Sequence, residues 1–156
     1  MNKALNWRVY RIESAMAGTN PMVMTELPGG FVAMGDVQFL PGYCVLLPKR
    51  VVGSLNELSF SERADFLTSM ALVGDAQLAV CHAQRINYDI LGNTDDFLHA
   101  HIFPRYAWEP DQRRKMPVWQ YPPASWQDSA TAYQPAKHAK LRQELTAYLE
   151  QSLTAN

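Results

Sequence analysis

Apolar and polar positions along the chain fall into short strand-like runs and two long helical stripes. Residues 31–34 read as a strand that breaks at Gly35-Asp36, and Pro41-Gly42 marks a turn. The continuous apolar run 43–47 then ends at Pro48, the signature of a largely buried strand, and the two runs predict a hairpin. Residues 85–91 alternate up to Gly92-Asn93, and 97–103 alternate up to Pro104. These predict two further strands joined by the tight connection 92–96. Between the pairs, Ser59-Phe60-Ser61-Glu62 forms a capping-box pattern, because a serine hydroxyl and a glutamate three residues on satisfy free backbone N–H groups. The predicted helix runs to about His82, with Leu67, Met70, Ala71, Leu78 and Cys81 on one apolar stripe. Pro135 opens a last helix whose Leu141, Leu145, Tyr148 and Leu149 share a face.

Elsewhere the pattern is weaker. Residues 7–12 read as a short strand or helix, Gly18 to Pro21 and Pro28 to Gly30 as turns, and 106–130, rich in Trp, Tyr and Pro, as irregular. The elements sum to an α+β domain: an antiparallel sheet, one long central helix and one C-terminal helix.

Length and composition narrow the class. At 156 residues the chain fits one domain, 1–156, with an ordinary 47% hydrophobic and 19% charged residues. A formal net charge of −1 gives no electrostatic reason to expect nucleic acid or an anionic membrane as partner. The first twenty residues lack the apolar core of a secretory signal, and no apolar run approaches the ~20 residues of a membrane span. Cys44 and Cys81 sit in apolar stretches without CxxC spacing and read as small buried hydrophobes. The expectation is a reduced, cytoplasmic, enzyme-like domain.

One segment stands out chemically: Phe97-Leu98-His99-Ala100-His101-Ile102-Phe103-Pro104-Arg105. On a strand, His99 and His101 share a face, while Leu98, Ala100 and Ile102 turn to the core. Three readings stay open on these residues alone. The pair lines a solvated sheet face, supplies a nucleophile with a partner to hold it, or ligates a metal. A structural zinc needs about four ligands; His82 and His138 are placed on helices, which leaves Asp95 and Asp96 as the nearest further donors.

The chain from about residue 31 to 106 resembles the histidine triad (HIT) family, in particular its diadenosine polyphosphate hydrolases and fragile-histidine-triad-like proteins. His99 and His101 match the second and third histidines of the family's motif, and Ile102-Phe103-Pro104-Arg105 matches its end. Residues 31–36 resemble the strand ending in the ribose-contacting acid, and Pro41-Gly42 with 45–50 resembles the second strand. Leu55 through the Ser59 capping box fits the helix that follows. Three positions depart from the pattern. Phe97 stands at the first triad position, Val51 where many relatives carry a further histidine, and Thr94-Asp95-Asp96 replaces a longer phosphate-holding loop.

The resemblance implies a single HIT-like domain with a C-terminal extension, 107–156, pairing as a homodimer and acting on a small-molecule nucleotide. It implies a nucleotide hydrolase or nucleotidyl transferase, with dinucleoside polyphosphates or nucleoside phosphoramidates as substrates. His99 would attack the α-phosphorus to give a nucleotidyl-histidine, and His101 would hydrogen-bond a phosphate oxygen or hold the site. Asp36 would accept from the ribose hydroxyls, with Asn93, and Thr94 as a replacement hydroxyl, on the phosphate side. No cofactor or protein-bound metal is required by that mechanism, and magnesium would enter only as part of a nucleotide complex. The alternatives are a nucleotide-binding sensor without turnover, and a metal-binding module built on His99, His101, Asp95 and Asp96. Three tryptophans after the motif, Trp108, Trp119 and Trp126, are expected to pack over the sheet or a partner subunit rather than stack on a base, and Arg113, Arg114 and Lys115 to be solvated.

Overall fold

The structure, a computed structural model, describes residues 5–155. In chain order its elements are α1 (Arg11–Met16), β1 (Val23–Leu27), β2 (Gly30–Met34), β3 (Cys44–Leu47), α2 (Phe60–Val80), β4 (Arg85–Asp89), β5 (Ala100–Arg105), α3 (Asp111–Arg114), α4 (Pro123–Gln127) and α5 (Pro135–Thr154). The strands form one antiparallel sheet in the order β1-β2-β3-β5-β4. The α+β architecture and the β2–β3 pairing follow the sequence pattern; β1 was signalled only by its closing turn.

The sheet has two unlike faces. On one, Val32, Met34, Cys44, Leu46, Ala100 and Ile102 pack against Phe66, Met70, Val73 and Ala76 of α2, with Leu145 and Leu149 of α5 completing the cluster. Each fully buried large apolar side chain there contributes roughly 1.5–3 kcal/mol. The other face is covered by α1, whose Ile12 and Ala15 pack on Leu47, and by the segment that carries Val118, Tyr121 and Trp126.

The capping box is present in full: Ser59 Oγ accepts from the Glu62 N–H, and the Glu62 carboxylate accepts from the Ser59 N–H. The stripe expected on α2 is not the buried one. Of that stripe Met70 is buried as expected, but Leu67, Ala71 and Leu78 are exposed, and the helix otherwise buries Phe66, Ser69, Val73, Gly74, Ala76 and Gln77. The reason is chemical. Ser69 Oγ accepts from the Gly29 N–H, and the Gln77 amide donates to the carbonyls of Gly42 and Ile102, both at 2.8 Å. Gly74 leaves room for the Tyr88 hydroxyl, which would lie 2.0 Å from an added Cβ. A face carrying serine, glycine and glutamine is invisible to an apolar-period count.

The second strand pair also differs in detail. β5 starts at Ala100, not at residue 97, and the connection from β4 spans residues 90–99. Before Ala100 the chain leaves the ladder, because the Leu98 N–H donates to the carbonyl of Val52 rather than to β4. Pro104 lies within β5, where its pairing with β3 has already ended at Cys44↔Ile102, so its missing N–H costs the sheet nothing on that side. α2 ends at Val80, and His82 beyond it takes a left-handed φ of 56°. The 106–130 tract, expected to be irregular, holds α3, α4 and a short 3-10 turn at Val118–Gln120.

Candidate active site

The histidines stand where β5 begins, beside β3, and their alternation survives although His99 precedes the strand. Their ring centroids lie 4.8 Å apart, with Leu98, Ala100 and Ile102 buried on the opposite side. His99 is buried, and its Nδ1 lies 2.8 Å from the carbonyl oxygen of Phe97. A carbonyl only accepts, so in the neutral ring Nδ1 carries the proton and Nε2 keeps its lone pair.

His101 is held in the opposite sense. Its Nδ1 lies 2.6 Å from the Tyr43 hydroxyl. Burial, and after it the charge of Asp36, push the Tyr43 phenol up from its ordinary value, so it keeps its proton. Among the described residues that hydroxyl has no other hydrogen-bond partner, so its proton is satisfied by donating to His101 Nδ1. His101 Nε2 therefore carries the proton. Burial and the neighbouring His99 push the His101 imidazolium down to about 4, which keeps the ring neutral at pH 7. In their neutral forms the two rings are thus opposite tautomers, His99 with a lone pair on Nε2 beside His101 with a proton there.

Tyr43 owes its position to the loop between β2 and β3. The Gln38 amide donates to the carbonyls of Gly35 and Tyr43, and its oxygen accepts from the Gly42 N–H. Gly42 takes a φ of 96°, and a Cβ on Gly35 would meet the Tyr43 ring at 2.1 Å, so both glycines are required by the turn. Asp36 lies on the same loop, and its carbonyl accepts from the Tyr133 N–H just ahead of α5. Arg11 of α1 reaches its carboxylate with two bonds, Nη1 to Oδ1 at 3.0 Å and Nη2 to Oδ2 at 2.6 Å.

These residues enclose a cavity of about 140 Å³ lined by Arg11, Asp36, Tyr43, Asp95, His99 and His101 among others. His99 also borders a second cavity of about 240 Å³ with Gly53, Ser54, Leu91, Gly92 and Phe97. A larger concavity, about 990 Å³, lies instead along the open edge of β4 and contains no histidine. Chemistry, not volume, selects the histidine cavity.

The expected site residues are therefore brought together in part. Asp36, His99 and His101 line one cavity; Asn93 and Thr94 are exposed on the loop after Gly92 and line neither cavity at His99. Asp95 does line it. Phe97 packs toward Ile12, Ala15 and Leu47, filling an apolar corner between α1 and the sheet. Among the described residues no group of three or more His, Cys, Asp or Glu is placed to hold a metal ion. His138, placed on a helix from sequence, caps α5 by accepting from the Gln134 N–H at 2.9 Å.

Two contributors escaped the sequence reading: Tyr43 and Arg11. Tyr43 carried one signal, a lone hydroxyl in an aliphatic run two residues from Val45, the residue that pairs with His101. Trp119 meets His101 edge-on at 5.0 Å and stacks on Trp126 at 5.1 Å, so these tryptophans pack over the sheet as expected. Their segment is anchored by a buried ion pair, Arg105 to Glu109 at 3.0 Å, in which Arg105 also donates to Asn87 Oδ1 and to the carbonyls of Arg113 and Met116. Burial pushes the Glu109 carboxyl up, and the bonds from Arg105, Tyr121 and the Tyr106 N–H more than reverse it, leaving it below the ordinary value. Of the basic trio, Arg113 is spent locally on the Gln120 carbonyl and Arg114 on Asp111. Cys44 is buried and Cys81 half-buried, and burial pushes both thiols up, Cys81 to about 11. No helix among the described residues is long and apolar enough to cross a membrane.

No protein-family model matches the chain. A bis(5′-nucleosyl)-tetraphosphatase (asymmetrical) of Schizosaccharomyces pombe is 32% identical over 93 residues, which cover 56% of this chain and 50% of that protein. The chain thus spans about half the length of the curated relative it matches. A histidine triad protein of Sinorhizobium meliloti superposes with a TM-score of 0.71 at 20% identity, over 93% of this chain and 96% of that one. The diadenosine triphosphate hydrolase of Plasmodium falciparum gives a TM-score of 0.61 at 14% identity, over 83% and 77%. The sheet order, the long helix and the paired histidines at the start of β5 accordingly have the fold of the histidine triad proteins.

Proposed function

We propose that the chain is a nucleotide hydrolase or nucleotidyl transferase in which His99 Nε2 attacks the α-phosphorus of a nucleoside phosphate. The observation that carries this is the bond between His99 Nδ1 and the Phe97 carbonyl, 2.8 Å, which leaves Nε2 as the lone-pair nitrogen beside a polar cavity. When Nε2 bonds to phosphorus the bond to the leaving group breaks, and the ring becomes cationic with its proton still on Nδ1. The Phe97 carbonyl then stabilises that charge, so a main-chain acceptor does the work that the side chain at position 97 does not. Water next attacks phosphorus, the P–N bond breaks, its proton passes to solvent, and the neutral imidazole returns. The same intermediate passed to another acceptor gives a transferase.

His101, held neutral with its proton on Nε2, is suited to donate to a phosphate oxygen or to the departing group. A cavity of about 140 Å³ is smaller than a pocket for a whole drug-sized ligand, so it takes the ribose and α-phosphate rather than the entire nucleotide. Asp36 accepts from the ribose hydroxyls, and Asn93 and Thr94, on the loop that brings Asp95 to the cavity, serve the phosphate side. Dinucleoside polyphosphates or nucleoside phosphoramidates are the substrate class, on the strength of the fold and of the Schizosaccharomyces pombe relative. A cytoplasmic homodimer using no protein-bound metal completes the reading, with magnesium entering only as part of the nucleotide complex.

Turnover of diadenosine polyphosphates, adenosine phosphoramidate and nucleotide sugars, native chain against His99→Ala, tests this. The expected result is turnover of at least one member and a loss of at least about 10³-fold in His99→Ala. Nucleotide binding with no turnover by the native chain would replace the enzyme with a sensor.

A further inference from the structure

The charge inside the histidine cavity is out of balance with an anionic ligand. Its carboxylate and guanidinium lining residues are Asp36, Asp95 and Arg11, two acids and, among the described residues, one base, while burial, and after it the neighbouring His99, hold the His101 imidazolium well below its ordinary value. A phosphate group entering beside two carboxylates is repelled unless a cation meets it. Arg11 is placed to be that cation. Its guanidinium keeps 27% exposure and spends one N–H of each terminal nitrogen on Asp36, which leaves three of its five donors. It comes from α1, an element that contributes nothing else polar to the cavity, and α1 is itself fixed by Ile12 and Ala15 against Leu47. The Trp7 ring centroid lies 5.4 Å from the guanidinium carbon.

We propose that Arg11 contacts the substrate: its guanidinium binds the nucleotide's phosphate chain while Asp36 holds the ribose, so that the ion pair is the hinge between the sugar and phosphate subsites. This rests on the nucleotide reading of the same cavity. Ribose hydroxyls donate to the Asp36 carboxylate and so compete with the Arg11 guanidinium for its oxygens. Once they engage Asp36, Arg11 keeps one shared carboxylate bond and turns its remaining N–H groups to phosphate oxygens, its natural bidentate partners. Burial works to lower the Arg11 guanidinium, and Asp36, with Asp95 after it, more than reverses this and holds it above its ordinary value.

Calorimetric titration of AMP and of adenosine into the native chain, Arg11→Gln and Arg11→Lys separates the possibilities. The expected result is a ~10- to 100-fold loss of AMP affinity in Arg11→Gln, the range of one or two charge-assisted hydrogen bonds, with adenosine affinity within about twofold of native. Arg11→Lys should recover part of the AMP affinity, and the salt dependence of AMP binding should flatten in Arg11→Gln. AMP affinity unchanged in Arg11→Gln overturns the assignment and leaves the His99 reading standing. Equal losses for AMP and adenosine also overturn it, since Arg11 would then act only by supporting Asp36. A native chain that binds no AMP overturns both readings. Arg11 is partly exposed, so both variants are expected to fold, and Arg11→Lys, which keeps the charge but loses the fork, still reads the phosphate contact should Arg11→Gln fail to fold.

Discussion

Alternate residues of β5 serve two faces of one sheet on different terms. Ala100 and Ile102 are sealed under α2 by aliphatic packing, and their neighbours on β3, Cys44 and Leu46, are equally buried. His101 and Phe103 face the other way, onto Tyr43, Trp119 and Trp126. The first face needs only shape and area. The second needs specific hydrogen bonds, and it is completed by segments from both ends of the chain, α1 and the stretch around Val118 to Trp126. A buried hydrophobic face thus supplies rigidity, and the polar face spends that rigidity on holding two rings in defined tautomers.

The sharpest way to break the second face without touching a histidine is Arg105→Met. Arg105 and Glu109 are both buried, and removing one partner strands the other's charge, which costs about 3–5 kcal/mol. Chemical denaturation should show that loss, and Arg105→Met with Glu109→Leu should recover part of it, because no unpaired charge then remains. A single-variant loss below about 1 kcal/mol would mean that the 106–126 segment is held by its aromatic rings alone.

Tyr43→Phe sharpens the comparison inside the site. The ring keeps its stacking on Phe103, with centroids at 4.2 Å, but the hydroxyl that fixes His101 is gone. Turnover should fall about tenfold in kcat with little change in KM, as expected for one lost hydrogen bond to a positioned group. Nitrogen NMR should show His101 moving from a single Nε2-protonated tautomer to a mixture; a pure tautomer in the variant would deny Tyr43 its positioning role. The same ring gives the fold a pH dependence. Its folded value, about 4, lies below the ordinary 6.5, so its contribution to stability is complete above pH 6.5 and is lost as pH falls through about 4. The melting temperature should decline across that window, and His101→Phe should flatten the decline.

The smallest effect is expected at the position that departs most visibly from the triad pattern. Phe97 offers its carbonyl to His99, and its ring sits 4.8 Å from the His99 ring in an apolar corner. Phe97→His keeps the carbonyl, so kcat/KM should change by no more than about fivefold, a difference of roughly 1 kcal/mol. Complete loss of turnover in that variant would show that the side chain matters more than the main chain.

How much of this was legible beforehand follows the same division. Strand alternation located His99, His101 and the core residues between them, because period two is local and needs no partner. The capping box marked the start of α2 for the same reason. What local pattern missed was whatever another element decides. Leu67 and Leu78 were assigned to the core of α2, yet Ser69 and Gln77 took the buried face because Gly29, Gly42 and Ile102 needed their polar atoms. The strand expected to start at residue 97 starts at Ala100 because Val52 captures the Leu98 N–H. Arg11 lies 25 residues from Asp36, and no spacing rule joins them. Tyr43 looked like one more apolar residue until the β3–β5 register set it beside His101.

The central claim is that phosphorus is transferred to His99 Nε2. It is tested most directly by rapid quenching of the native chain with a turned-over substrate, followed by peptide mass analysis at neutral to alkaline pH, where a phosphorus–nitrogen bond survives. The expected result is a gain of one nucleoside monophosphate on the peptide that carries His99, absent from His99→Ala. Turnover through a nucleotidyl group on any other residue, or equal turnover by His99→Ala, would contradict it.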